Sequence, residues 1–164
     1  LASGLRRGSG QAIYRSKQVL QALHPKLEAG DIELARSLLS DPLMRLYAAM
    51  EKRDQRHAVA VTRRLQAAGV KDDDLLTAAL LHDCGKGAVP VWLRIVYVLA
   101  PGVVRALADR GWAPAYRLAN HGRLGAEQAA SAGAPASAVR LIEGKPVGDE
   151  AGKLALLQAA DDAS

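Results

Sequence analysis

Apolar residues recur at helical spacing along almost the whole of this 164-residue chain, and no stretch shows sustained alternation with β-branched residues. That single property restricts the fold to an all-α, compact helical bundle. The spacing predicts helices near 11–23, 31–39, 91–99, 102–110, 123–132 and 135–143, and a last one from about 150. Asp41-Pro42 reads as an N-cap followed by Pro at the first helical position, opening a helix through Leu43, Leu46, Tyr47 and Met50. A further helix carries His57, Val61, Leu65 and Ala68 on one face and stops at Gly69. Asp72, Asp73 and Asp74 then supply a cap and negative charge to the start of the next one.

That helix runs into LLHDCGKG, residues 80 to 87, where the chain does something an apolar face resists. Leu75, Ala79 and His82 fall at i, i+4 and i+7, and Leu76, Leu80 and Asp83 form the adjacent stripe, so an imidazole and a carboxylate are expected to face inward. His57 lies on the apolar face of an earlier helix. In the last helix Leu154, Leu157 and Asp161 fall at i, i+3 and i+7, which aims another carboxylate at the core.

An uncompensated buried charge costs several kcal/mol, roughly, so such groups are paired, hydrogen-bonded or ligated. Each alone has an ordinary explanation: a single His on an apolar face is commonly a hydrogen-bonded core residue, and Asp161 can cap or pair with an Arg. A divalent cation answers the need of all four together. Imidazoles with carboxylates suit Mn, Fe, Co, Ni, Zn or Mg and leave positions for water or a phosphate oxygen.

The ordered pattern H…HD…D, with LLHDCGK at its centre and LLQAADDA near the end, resembles the HD superfamily of metal-dependent phosphohydrolases over roughly residues 55 to 163. The resemblance implies an all-α HD domain over 55–164, after a flexible leader (1–10) and an N-terminal helical extension (11–54). It also implies that His57, His82, Asp83 and Asp161 hold one divalent metal ion per chain, Asp161 being preferred to Asp162 because the family motif reads Ala-Asp. Lys86 resembles the family lysine beside the metal, and His121 resembles a third histidine found in the binuclear branches. Where those relatives place further histidines this chain has Gly144 and Lys145, and no GYP motif follows.

The activity implied is hydrolysis of a nucleotide or other small phosphate ester by a metal-activated water. Asp83, Lys86 and His121 are then expected to be catalytic, and Lys86, His121 and Lys145 to bind substrate. The rival expectation is a catalytically silent HD module that binds metal or nucleotide as a sensor or interaction domain, supported by the altered EGKP segment.

Composition narrows the partners. A net charge of +5 favours anionic ligands, but Phe is absent and only two Trp and four Tyr are present, so the stacking platforms of nucleic-acid binding are scarce and no nucleic acid is expected. The lone Cys84 excludes an internal disulfide framework and reads as a small core residue, and a cytoplasmic location is expected. His24, before Pro25, reads as a surface residue. The most hydrophobic stretch, residues 89–107, carries Arg94, Arg105 and Pro101-Gly102, which argue against a transmembrane span. Two amphipathic helices broken at Pro101 are expected instead, with Trp92, Ile95 and Leu99 as a stripe able to form a homodimer interface. Attachment to a membrane surface is the less favoured expectation.

Overall fold

The computed structural model describes residues 27–164, and all of its regular structure is helical. The expected leader, the helix near 11–23 and the placement of His24 lie outside the described residues. In chain order the helices are α1 (Ala29–Leu38), α2 (Asp41–Ala48), α3 (Lys52–Ala67), α4 (Asp73–Leu81), α5 (Val91–Leu99), α6 (Pro101–Asp109), α7 (Ala113–Ala119), α8 (His121–Ser131), α9 (Ala136–Glu143) and α10 (Glu150–Asp162).

Helix α4 is the centre of the bundle because it has no polar face to expose: every residue from Leu75 to Leu81 is buried. It starts where the Asp72 side chain accepts a hydrogen bond from the Leu75 amide, a capping contact worth about 1 kcal/mol. Helices α3, α9, α1, α2 and α10 pack around it. Ala35, Leu39, Leu43, Tyr47 and Met50, from the first two helices and the residues that follow each, enter the same core as Leu65, Leu80, Leu141 and Leu157.

Helices α5, α6 and α7 build a second, smaller core from Val89, Leu93, Val104, Ala108, Ala115 and Leu118. The 89–107 stretch does break at Pro101, and α5 and α6 meet at a bend of 118°. Among the described residues no single helix is long and apolar enough to cross a membrane. The small unit is tied to the bundle by Arg94, whose guanidinium donates to both oxygens of buried Asp54 at 2.6 and 2.9 Å and to Glu51 at 3.1 Å. A fork of this kind fixes orientation as well as charge.

Three local expectations are corrected. Ser40, not Asp41, is the N-cap of α2, so Asp41 and Pro42 both lie inside the first turn, where the missing Pro amide costs nothing. Pro135 is likewise the N-cap of α9 and not its first residue. Helix α7 was missed: Ala113-Pro114 opens it, but seven residues are too short for periodicity to register.

Candidate metal centre

The chemistry-bearing residues come from three helices and one turn that are far apart in the sequence. Helix α3 carries His57, the turn after α4 carries His82 and Asp83, α8 begins at His121, and the last turn of α10 carries Asp161. The α4 helix stops at Leu81, with His82 as its C-cap, because the chain turns sharply through Asp83, Cys84 and Gly85. This turn, and not continued helix, puts His82 and Asp83 on the same side.

His57 Nε2 lies 2.6 Å from Asp161 Oδ1, and His82 Nε2 lies 3.4 Å from that same oxygen. The two imidazole rings meet edge to face with centroids 5.4 Å apart. One donor atom from each of His57, His82 and Asp161 lies within 4.8 Å of the others, a span that a single cation can bridge.

The tautomer of His82 follows from its other nitrogen. Nδ1 lies 2.9 Å from the Ala79 carbonyl, which can only accept, so Nδ1 carries a proton, and whenever the ring is neutral the lone pair of Nε2 faces inward. That Nε2 is buried and has no hydrogen-bond partner; the Asp83 and Asp161 oxygens, at 3.5 and 3.4 Å, are near it without hydrogen-bonding geometry. Two carboxylates facing Nε2 favour a positive charge there, which a second ring proton or a cation supplies. The donor set of His57, His82 and Asp161 fits a divalent cation, with a backbone carbonyl orienting His82 from behind. His121 repeats the arrangement: Nδ1 donates to the Leu118 carbonyl at 2.8 Å, and Nε2 points toward Asp83 Oδ1 at 4.0 Å.

Asp83 is 2% exposed and sits between these groups, outside the three-donor cluster itself. Its Oδ2 accepts from Lys86 Nζ at 2.5 Å, which leaves Oδ1 to face His82 and His121. Burial alone would raise the carboxyl pKa, but the neighbouring His82 and Lys86 outweigh it and hold the group below the usual range. The His57 and His82 contacts depress Asp161 further, against its own partial burial. For His82 burial pushes the pKa down, yet Asp83 and Asp161 together raise it. At His121 burial dominates and lowers it, aided by the Lys86 charge. Buried Cys84 donates to the Gly125 carbonyl, and burial with the nearby Asp83 charge pushes its thiol up to about 12.

Two of the donors, His82 and Asp161, open onto a pocket of about 400 Å³, which His57, Asp83 and Lys86 do not line. His82 and Asp161 line one part, His121, Gly122 and Arg123 another, and Leu141, Leu154 and Leu157 supply an apolar wall. Its lining contains no Trp or Tyr. No family model, curated protein or solved structure matches the chain.

Of the residues expected in the site, His57, His82 and Asp161 come together, with Asp83, Lys86 and His121 beside them. Lys145 does not join them: its side chain is 72% exposed, its ammonium pairs with Glu143, and it does not line the pocket. Asn120, Glu143 and Gln158 line the pocket and were missed. Gln158 was findable, since Leu154, Gln158 and Asp161 fall at i, i+4 and i+7 on one face. Asn120 and Glu143 sit at helix ends, where periodicity carries no information.

Gly85 has a role that its place after the motif conceals. A Cβ there would stand 2.1 Å from the His121 carbonyl oxygen and 2.5 Å from the Gly125 nitrogen. Only glycine lets the α8 backbone approach the turn this closely, and that approach sets where His121 stands.

Proposed function

We propose that this chain is a cytoplasmic HD-type phosphohydrolase that acts on a nucleotide or other small phosphate ester and depends on one divalent metal ion. The observation that carries the reading is the buried, unpartnered Nε2 of His82 facing two carboxylates beside a pocket of about 400 Å³. His57, His82 and Asp161 would hold the ion, with Asp83 as the additional ligand that the HD resemblance implies. When bound, it would polarise a phosphoryl oxygen and lower the pKa of a coordinated water.

The chain's own residues divide the remaining work. Lys86 holds Asp83 by Oδ2 and keeps the carboxylate ionised, so Oδ1 alone is left, either to ligate the ion or to take a proton from the water. The Lys86 ammonium does not line the pocket and would act through Asp83, whose charge it offsets. His121, kept neutral by burial, presents Nε2 as a hydrogen-bonding group on the opposite side of Asp83. The walls formed by Leu141, Leu154 and Leu157 exclude water from one side of the ligand.

The rival reading, a silent HD module used as a sensor, is favoured by one observation. The 143–145 segment contributes no histidine, since Gly144 caps α9 with φ +76° and Lys145 turns to Glu143. A panel of nucleotides, cyclic dinucleotides and a chromogenic phosphodiester, assayed with Mn, Co, Ni and Mg, separates the two. Turnover that disappears in Asp83→Asn supports the enzyme; metal binding without turnover across the panel leaves the sensor.

A further inference from the structure

The pocket beside the donor cluster differs from end to end in what it can hydrogen-bond. Along α10, Leu154, Gln158 and Asp161 share one face, so Gln158 stands one helical turn from the Asp161 carboxylate. Where α8 begins against the end of α9, a Cβ on Gly122 would lie 3.2 Å from the Ile142 carbonyl oxygen and 3.7 Å from that of Glu143. That close approach sets Glu143, its side chain 25% exposed, beside Asn120 in the pocket lining.

These groups leave an excess of acceptors. The Asn120 amide nitrogen already donates to the Tyr116 carbonyl at 2.9 Å, which leaves its oxygen. One Glu143 oxygen takes the Lys145 ammonium at 2.5 Å, which leaves the other. Arg123, the one Lys or Arg in the lining, donates to Glu127 at 2.5 Å and to the Tyr116 hydroxyl at 2.9 Å. A ligand seated here therefore has to bring donors of its own, and the Gln158 amide offers it both a donor and an acceptor. No Trp or Tyr stands ready to stack a nucleobase. At about 400 Å³ the pocket is near the small end of ligand sites, which run from about 300 to 1,000 Å³, and its aliphatic wall of Leu154 and Leu157 suits the C–H face of a carbon chain or sugar ring.

We propose, resting on the phosphohydrolase reading, that the pocket selects the phosphate ester of a small polyhydroxy alcohol or sugar, with Glu143 and Gln158 as the residues that read its hydroxyls. Hydroxyl hydrogens satisfy the free oxygens of Glu143 and Asn120. Gln158, one turn from Asp161, meets a hydroxyl close to the ester. An analogue without hydroxyls displaces the water from these groups and leaves them unpaired, which discriminates more strongly than a change in apolar contact.

Phosphate release by the full chain loaded with Mn is measured for glycerol phosphate, ribose phosphorylated on its primary hydroxyl, adenosine monophosphate and ethyl phosphate, and calorimetry with and without Mn reads binding of the same four. The two hydroxylated esters should exceed ethyl phosphate in affinity and, by about a hundredfold, in kcat/KM. Glu143→Leu and Gln158→Leu should each cut that ratio roughly tenfold. Both positions lie outside the packed core, and Glu143→Ala or Gln158→Ala replaces a variant whose circular dichroism shows that it has not folded. Equal handling of ethyl phosphate overturns the proposal. So does a clear preference for adenosine monophosphate over the ribose ester, because the pocket would then be reading the base. Selective binding of the hydroxylated esters without turnover of any keeps the pocket's preference and removes the phosphohydrolase reading. Neither binding nor turnover removes both.

Discussion

His57 Nε2 and Asp161 Oδ1 lie 2.6 Å apart although 104 positions separate the residues in the chain. Helices α3 and α10 meet there, and a third group, His82, approaches the same oxygen from the end of α4. Three elements that the bundle would otherwise hold through apolar contact thus converge on one oxygen atom.

If that convergence is a cation site, wild-type protein should carry one divalent ion per chain after incubation with Mn or Ni, measured by elemental analysis. His57→Ala and Asp161→Ala each remove one donor from a set of three and should weaken binding by more than tenfold. Protein that remains metal-free would reduce the cluster to a hydrogen-bonded pair.

Gly85→Ala should damage the site without touching a charged group. The added carbon meets backbone atoms of α8 at 2.1 and 2.5 Å, which cannot move like a side-chain tip. Overpacking of this kind costs about 1–3 kcal/mol or more, so Tm should fall by roughly 5–10 °C. Turnover should fall further than stability, because His121 is carried by the displaced backbone. An unchanged Tm in a thermal melt would refute the close approach.

Acid stability should depend on Glu150. Arg140 and the Val147 amide hold its carboxyl down to about 2, from an ordinary value of 4.5. A depressed carboxyl stabilises the fold above its unfolded pKa and loses that contribution as pH falls from 4.5 toward 2. Glu150→Gln should therefore be less stable than wild type at pH 7 and should converge on it in that acidic window. Urea unfolding at several pH values measures the difference; parallel curves would show that the pair contributes nothing.

Cys84 should be inert in the folded protein. With its thiol pushed up to about 12, almost no thiolate exists at pH 8. Ellman's reagent should find no reactive thiol in native protein and one per chain in urea. Fast modification of the native state would mean that the turn around Gly85 opens.

The residues bearing on the site were legible in the sequence to different depths. His82 and Asp83 stand out because polar residues interrupt an apolar run, and Asp161 because its helix has a clear face. Lys145 was expected to face substrate by alignment with relatives, but the positive φ of Gly144 turns the chain, and the nearby Glu143 takes the ammonium. Spacing along a chain does not report such a turn.

What the sequence by itself determined is the helical class, the break at Pro101 and the identity of the polar residues placed on apolar faces, since all three follow from local periodicity and from the limits on proline. Only the tertiary structure decided that His57, His82 and Asp161 share one space while Asp83 turns to Lys86. It alone also separated α5–α7 into a core of their own with an exposed edge. The physical reason is the same in each case. Periodicity states which way a side chain faces on its own helix, whereas distance depends on how helices cross, and crossings are set by packing details such as the missing Cβ of Gly85.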